Sequence, residues 1–109
     1  MTYSIFAHIG DSVPCQVAWL DLDKKPLVVQ NVTATLFNYV DNVRTIIGGT
    51  QNMTVTDQDH RFVHRFTIPD SVLGQTIYVS FKAELVDASL IYDEMSIYVS
   101  SKGTFINVV

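Results

Sequence analysis

The sequence predicts an all-β protein, an antiparallel sandwich of two sheets with about seven strands and a further strand-like segment at each end. Two observations predict this fold class. Apolar and polar residues alternate with a period of two in one segment after another, and helical periodicity is nowhere sustained. Turn-forming residues separate the segments about every 8 to 12 residues, which is the spacing expected of a sandwich or a small barrel.

The clearest strand lies between Gln75 and Val86, where every second residue is apolar and is predicted to face the core. Met53 and Val55 indicate a short strand. The same alternation predicts these inward residues: Val13, Cys15, Val17, Trp19, Val32, Ala34, Leu36, Val40, Phe62, His64, Phe66, Ile68, Ile77, Val79, Phe81, Ala83, Leu85, Met95, Ile97 and Val99.

Turn residues set the predicted strand limits. Asp41-Asn42 is predicted to close a hairpin into a strand over 44–47, which the pair Gly48-Gly49 is then predicted to end. Asp23-Lys24-Lys25-Pro26 is predicted to be the turn that leads out of the first core strand.

Length and composition predict one domain over residues 1–109, with its core in 12–100 and strand-like terminal segments at 2–9 and 104–109. Apolar residues make up 48 % of the chain and charged residues 17 %, which excludes intrinsic disorder. The net charge is −4 and the seven Lys and Arg residues are scattered, so no nucleic-acid partner is expected. No signal peptide or membrane-spanning helix is predicted, so we expect a protein made in a cytoplasm.

The terminal segments allow two interpretations. Each could be an edge strand of the same domain, or one of them could be an arm that pairs with a neighbouring chain, because an uncovered apolar strand invites strand addition. The second segment contains Phe105 and Ile106 and follows Ser100-Ser101-Lys102-Gly103, which resembles a linker.

Aromatic residues on the predicted outward faces are the best candidates for a binding surface. Phe37, Tyr39, Tyr78 and Tyr98 are all predicted to lie opposite the core. Tyr and Phe anchors are favoured in protein interfaces, and aromatic rings also stack on sugars. Together with Phe105 and Ile106, these residues are the predicted interface, with a protein partner favoured over a carbohydrate.

Little in the sequence indicates catalysis. Cys15 lies in an apolar stretch and is predicted to be a small buried residue, because a nucleophilic cysteine needs a neighbouring base. Asp57 and Asp59 are the candidate calcium ligands, although aspartates in turns more often cap backbone N–H groups. His60 and His64 are too few ligands for a metal site. We expect no enzyme activity and no cofactor.

Three stretches of the chain resemble a known class of module. The stretches are Asn31–Arg44 (NVTATLFNYVDNVR), Met53–Ser71 (MTVTDQDHRFVHRFTIPDS) and the strands within Gly74–Val99. Together they give an aromatic strand, a loop with a proline and then a tyrosine-bearing strand. This order resembles the immunoglobulin-like and fibronectin-type-III-like modules of tailed-bacteriophage virion proteins and bacterial surface proteins. Unlike antibody domains, the chain has no cysteine pair to bridge the sheets.

The resemblance implies an immunoglobulin-like sandwich in a small virion protein. The class that it suggests is a decoration, connector or baseplate accessory protein, located in the virion and made in the host cytoplasm. Its expected partners are further copies of itself and other virion proteins. A carbohydrate- or receptor-binding module is the alternative.

Overall fold

The computed structural model describes residues 2–56 and 61–100, which form two β-sheets, and the prediction of an all-β fold is confirmed. The described part of the chain has one short 3-10 turn, Asp70–Val72, and no helix long and apolar enough to cross a membrane. The described residues contain eight strands, which are β1 (Thr2–His8), β2 (Ser12–Val17), β3 (Val29–Val40), β4 (Val43–Asn52), β5 (Thr54–Val55), β6 (Phe62–Thr67), β7 (Thr76–Leu85) and β8 (Leu90–Ser100).

The two sheets are unequal. The larger sheet has the strand order β1-β8-β7-β3-β4, and the smaller sheet has the order β2-β6-β5. All neighbours are antiparallel except β1 and β8, which run parallel with Thr2 opposite Glu94 and His8 opposite Ser100. The N-terminal segment is therefore an edge strand of the larger sheet. The segment 104–109 lies outside the described residues.

The core lies between the sheets and is built by the predicted alternation. Fully buried residues on β7 and β8 include Ile77, Phe81 and Ile97, and they face Cys15 and Phe66 of the smaller sheet in one hydrophobic cluster. Each buried side chain of this size contributes about 1.5–3 kcal/mol relative to an exposed one. The inward positions of β2 and β8 are confirmed, and so are those of β7 from Ile77 to Ala83, whereas Leu85 at the end of β7 is only partly buried.

The β3–β4 hairpin begins as predicted and ends later than predicted. Asp41 and Asn42 have φ angles of 52° and 65°, the positive values of a two-residue type I′ turn. The pair Gly48-Gly49 does not end β4, which continues to Asn52. The register changes instead from Phe37 opposite Ile46 to Thr35 opposite Thr50, so the glycines form a bulge within the strand.

Two residues of β3 differ from their predicted environment. Val40 was predicted to face inward, but it is exposed because it lies at the end of the hairpin beside β4, a strand with no buried residue. Phe37 was predicted to be an outward, accessible side chain, but only 2 % of it is exposed. The side chains that cover Phe37 lie on the outer face of the larger sheet.

Candidate protein-interaction surface

Three aromatic rings meet on the outer face of the larger sheet. Phe37 and Tyr39 are two residues apart on β3 and therefore share a face, and Phe37 lies opposite Tyr78 on β7. The rings of Phe37 and Tyr78 are stacked with centroids 5.5 Å apart. Tyr39 meets both rings edge-on, at 5.8 Å from Phe37 and 5.6 Å from Tyr78. Such pairs add about 0.5–1.5 kcal/mol beyond burial.

Arg44 completes the cover of Phe37. It lies opposite Tyr39 in the β3–β4 hairpin, and its guanidinium carbon is 4.2 Å from the centroid of the Phe37 ring. A cation at this distance above an aromatic face contributes about 0.5–1 kcal/mol at an exposed site. Phe37 therefore lies on the outward face, as the alternation predicts, but it supports the surface from below and offers no area to a partner.

A second aromatic pair extends this group across the sheet. The parallel register places Phe6 of β1 opposite Tyr98 of β8, and their rings meet edge-on at 5.8 Å. Tyr98 is opposite Thr76, whereas Tyr78 is opposite Ser96. Tyr98 and Tyr78 are consequently diagonal neighbours on one face, a spacing that long side chains bridge. The two aromatic groups thus form one continuous area.

We call this area the aromatic surface, and it consists of Phe6, Phe37, Tyr39, Arg44, Ile46, Tyr78 and Tyr98. Several of its apolar side chains are open to solvent, with 80 % of Phe6, 54 % of Tyr39 and 50 % of Ile46 exposed. A contiguous exposed patch of this kind marks an interaction site more often than scattered apolar residues do.

The middle of the same face is lined by hydroxyl groups. The hydroxyls of Ser4 and Ser96 are 2.6 Å apart, and those of Thr35 and Thr50 are 2.9 Å apart. These pairs satisfy each other across neighbouring strands. The aromatic surface is therefore confined to the end of the sheet nearest the Asp41-Asn42 turn.

The structure brings together four of the predicted interface residues, Phe37, Tyr39, Tyr78 and Tyr98. Phe105 and Ile106, and the calcium candidates Asp57 and Asp59, lie outside the described residues. These assignments stay predictions.

Three members of the aromatic surface are not among the residues predicted from the sequence: Phe6, Arg44 and Ile46. A prediction of which face of β1 meets the core would have found Phe6, because Ala7 is buried and its neighbour must then face outward. No local signal places Arg44 over Phe37, since that contact depends on the hairpin register.

Two described side chains with potential chemistry, Cys15 and His64, pack against apolar neighbours. Cys15 is fully buried, and burial raises the pKa of its thiol to about 12, which keeps it protonated at neutral pH. His64 packs edge-on against Phe66 with ring centroids 4.7 Å apart. Within residues 2–56 and 61–100, no group of three or more His, Cys, Asp and Glu side chains is arranged to hold a metal ion.

No protein-family model matches the chain, and no curated protein matches it. Function is therefore inferred from the fold and the aromatic surface.

Proposed function

We propose that the chain is a non-enzymatic structural and interaction module, a small virion component of a tailed bacteriophage such as a decoration, connector or baseplate accessory protein. It binds protein partners, namely other virion proteins and further copies of itself, and it requires no cofactor. The aromatic surface is the binding site for the other virion proteins. Neither nucleic acid nor a membrane is a partner in this proposal.

The observation that carries the proposal is the exposure of Phe6, Tyr39, Ile46 and Tyr98 side by side on one sheet face. Interface cores are enriched in aromatic residues and arginine, and a few such anchors supply most of the binding free energy. The rings are held by one another and by Arg44, so a partner would meet a preformed surface and little side-chain entropy would be lost on binding.

The strand order supports an immunoglobulin-like topology. When strands β2 to β8 are given the immunoglobulin letters B, C, C′, D, E, F and G in chain order, the smaller sheet becomes B-E-D. The larger sheet becomes G-F-C-C′ with β1 added beside G. This arrangement fits the resemblance of Asn31–Arg44 and Met53–Ser71 to virion modules. Because a fold alone does not define function, the proposal depends on the aromatic surface.

The proposal is tested by measuring how much of the chain is incorporated into purified phage particles. Tyr39→Ser and Tyr98→Ser each remove an exposed ring from the aromatic surface. Loss of one anchor costs about 2 kcal/mol, which corresponds to a roughly 30-fold weaker interaction. We expect quantitative mass spectrometry of particles from the phage that encodes the chain to show a loss of about tenfold or more for each variant.

Tyr92→Ser is the matched control. Tyr92 is on the same strand and face as Tyr98, 63 % of it is exposed, and it lies outside the aromatic surface. Its incorporation should equal that of the original chain. Absence of the original chain from purified particles, or an equal loss for all three variants, would contradict the proposal.

A carbohydrate- or receptor-binding module is the second candidate, favoured by the exposed rings of Tyr39 and Tyr98. The edge-on packing of Tyr39 against Tyr78 and of Phe6 against Tyr98 gives no flat shared platform, which favours a protein partner. A glycan array distinguishes the two. Saturable binding to a glycan that Tyr39→Ala and Tyr98→Ala both abolish would support this second candidate and replace the first.

A further inference from the structure

An apolar groove of about 460 Å³ lies at one end of the sandwich, between the chain that leads into β3 and the edge of the smaller sheet. Its lining residues carry no charge, and they are Pro26, Leu27, Val28, Val29, Val55 and Phe62. Two of them are widely open to solvent, with 74 % of Val28 and 54 % of Val55 exposed. An exposed apolar concavity of this kind is suited to an extended apolar segment.

The groove is at the far end of the molecule from the point where the described chain finishes. Val29 lies opposite Leu85 on β7, next to the pair Glu84 and Leu90 at the start of β8. Ser100 is at the other end of β8, an 11-residue strand. At a rise of about 3.3 Å per residue, Leu90 and Ser100 are about 33 Å apart.

The residues that follow Ser100 include an apolar run. After Ser101-Lys102-Gly103 the sequence continues Thr-Phe-Ile-Asn-Val-Val over 104–109. A fully extended chain spans at most about 3.6 Å per residue, so Phe105 lies within about 18 Å of Ser100 and Val109 within about 32 Å. Even a fully extended tail therefore brings only its last residue, Val109, about as far as Val29, whereas the groove of a neighbouring chain is subject to no such limit.

We propose that residues 104–109 of one chain bind in the apolar groove of a second copy of the chain. The donor segment leaves one end of the sandwich and the acceptor groove lies at the other end. The contact is therefore head-to-tail, and repetition of it produces a ring or a filament.

The chemistry of the segment and the groove is complementary. Phe105, Ile106, Val108 and Val109 supply apolar side chains to a lining that has only apolar ones. β5 is an edge strand of the smaller sheet and borders the groove through Val55, so an extended segment can align along it and add main-chain hydrogen bonds. The inference shares with the proposed function only a second copy of the chain as partner, and it uses a different surface.

Two variants of the full chain separate the donor from the acceptor. Val28→Asp places a charge in the groove at an exposed position, and Phe105→Asp with Ile106→Asp does the same in the segment. The original chain should give a mass by light scattering that exceeds the 12.2 kDa of one chain and increases with concentration. Each variant alone should be monomeric, with far-UV circular dichroism unchanged.

Mixing the two variants provides the decisive measurement. The groove variant still has an intact segment and the segment variant still has an intact groove, so the mixture should form complexes of two chains and no larger species. Tyr92→Asp, at an exposed site outside the groove, should assemble as the original chain does. A contact between identical surfaces would instead leave one of the two variants able to assemble by itself, because each variant keeps one of the two surfaces intact.

A synthetic peptide of residues 101–109 tests the groove directly. Titrated against the monomeric segment variant, the labelled peptide should show saturable binding by fluorescence anisotropy. The same segment variant with Val28→Asp added should bind at least about tenfold more weakly, and Val55→Asp should do likewise. A monomeric original chain at all concentrations, or peptide binding that neither groove substitution weakens, would overturn the proposal. The loss of particle incorporation that we expect for Tyr39→Ser and Tyr98→Ser does not depend on that result.

Discussion

Phe37 connects the aromatic surface to the stability of the sheet. Its ring stacks on Tyr78 beneath the Arg44 guanidinium, and only 2 % of the residue is exposed. Removal of a buried phenylalanine costs about 3–5 kcal/mol, whereas the exposed ring of Tyr39 contributes far less to folding. Loss of binding on substitution of Phe37 would therefore report unfolding, and Tyr39 and Tyr98 are the residues whose substitution tests the proposed binding.

Cys15 gives the unfolding free energy a specific dependence on pH. Its thiol has a pKa of about 12 in the folded protein, raised by burial from an ordinary value of 9.0. Between pH 9 and 12 the folded protein keeps a proton that the unfolded chain loses. Below pH 9 the thiol is protonated in both states and does not change the free energy of unfolding with pH. Above pH 9 its ionisation in the unfolded chain lowers the free energy of unfolding by up to about 1.4 kcal/mol per pH unit.

The test compares the original chain with Cys15→Ala by urea unfolding at pH 7.5, 9 and 10. Tyrosine and lysine side chains titrate in both proteins, so their effects cancel in the difference. The original chain should lose about 1 kcal/mol more than Cys15→Ala between pH 9 and 10. Parallel pH profiles would show that the thiol ionises as readily in the folded protein as in the unfolded chain.

At the scale of the element, the glycine pair in β4 determines how far the hairpin extends. Gly48 and Gly49 have φ angles of 77° and 85°, and an added Cβ at either site would have no heavy atom within 4 Å. The glycines are thus required by backbone conformation and not by space. The bulge allows β4 to regain its pairing with β3 at Thr50, so the strand continues past the two glycines to Asn52.

Substitution of Gly49 separates conformation from crowding. Gly49→Ala should lower the free energy of unfolding by about 1–2 kcal/mol, because a Cβ disfavours positive φ. Asparagine tolerates positive φ better than alanine although it is larger, so Gly49→Asn should cost less. Urea unfolding of both variants provides the measurement, and a larger loss for asparagine would indicate crowding.

Alternation predicts the elements well where one face of a strand is fully covered. Ile77, Val79 and Phe81 of β7 are buried as predicted, because β7 lies in the middle of the larger sheet. The pattern is less informative at the hairpin. Val40 lies at an alternating position that would face the core, but the sequence does not show how far along β3 the second sheet extends.

The same distinction applies to the aromatic surface. Parity places Tyr39, Tyr78 and Tyr98 on outward faces, and the structure finds them on one face of one sheet. Their adjacency, and the contribution of Phe6 beside Tyr98, depend on strand order and on a parallel pairing across the full length of the chain. A glycine pair likewise predicts positive φ angles without distinguishing the end of a strand from a bulge.

At the scale of the whole molecule, the unequal sheets leave two different apolar surfaces exposed. The five-stranded sheet exposes the aromatic surface on its outer face, and the three-stranded sheet borders the apolar groove with its shortest strand. On the other edge of the smaller sheet, Pro14 of β2 has no N–H to offer an incoming strand. Strand addition to the smaller sheet is therefore favoured on the β5 side.

The hydrophobic core joins both ends of the described chain, so the sandwich should unfold as one cooperative unit. Ala7 of β1 and Val99 of β8 belong to the same buried cluster, and Trp19 packs against that cluster from beyond the end of β2. Trp19 fluorescence reports the environment of one residue outside the strands, whereas far-UV circular dichroism reports the strands of both sheets. In urea, the two signals of the monomeric segment variant should give one midpoint and one slope, as expected of a two-state domain of this size. A loss of circular dichroism before the change in fluorescence would instead show that part of the larger sheet, such as the β3–β4 hairpin or β1, unfolds independently of the core.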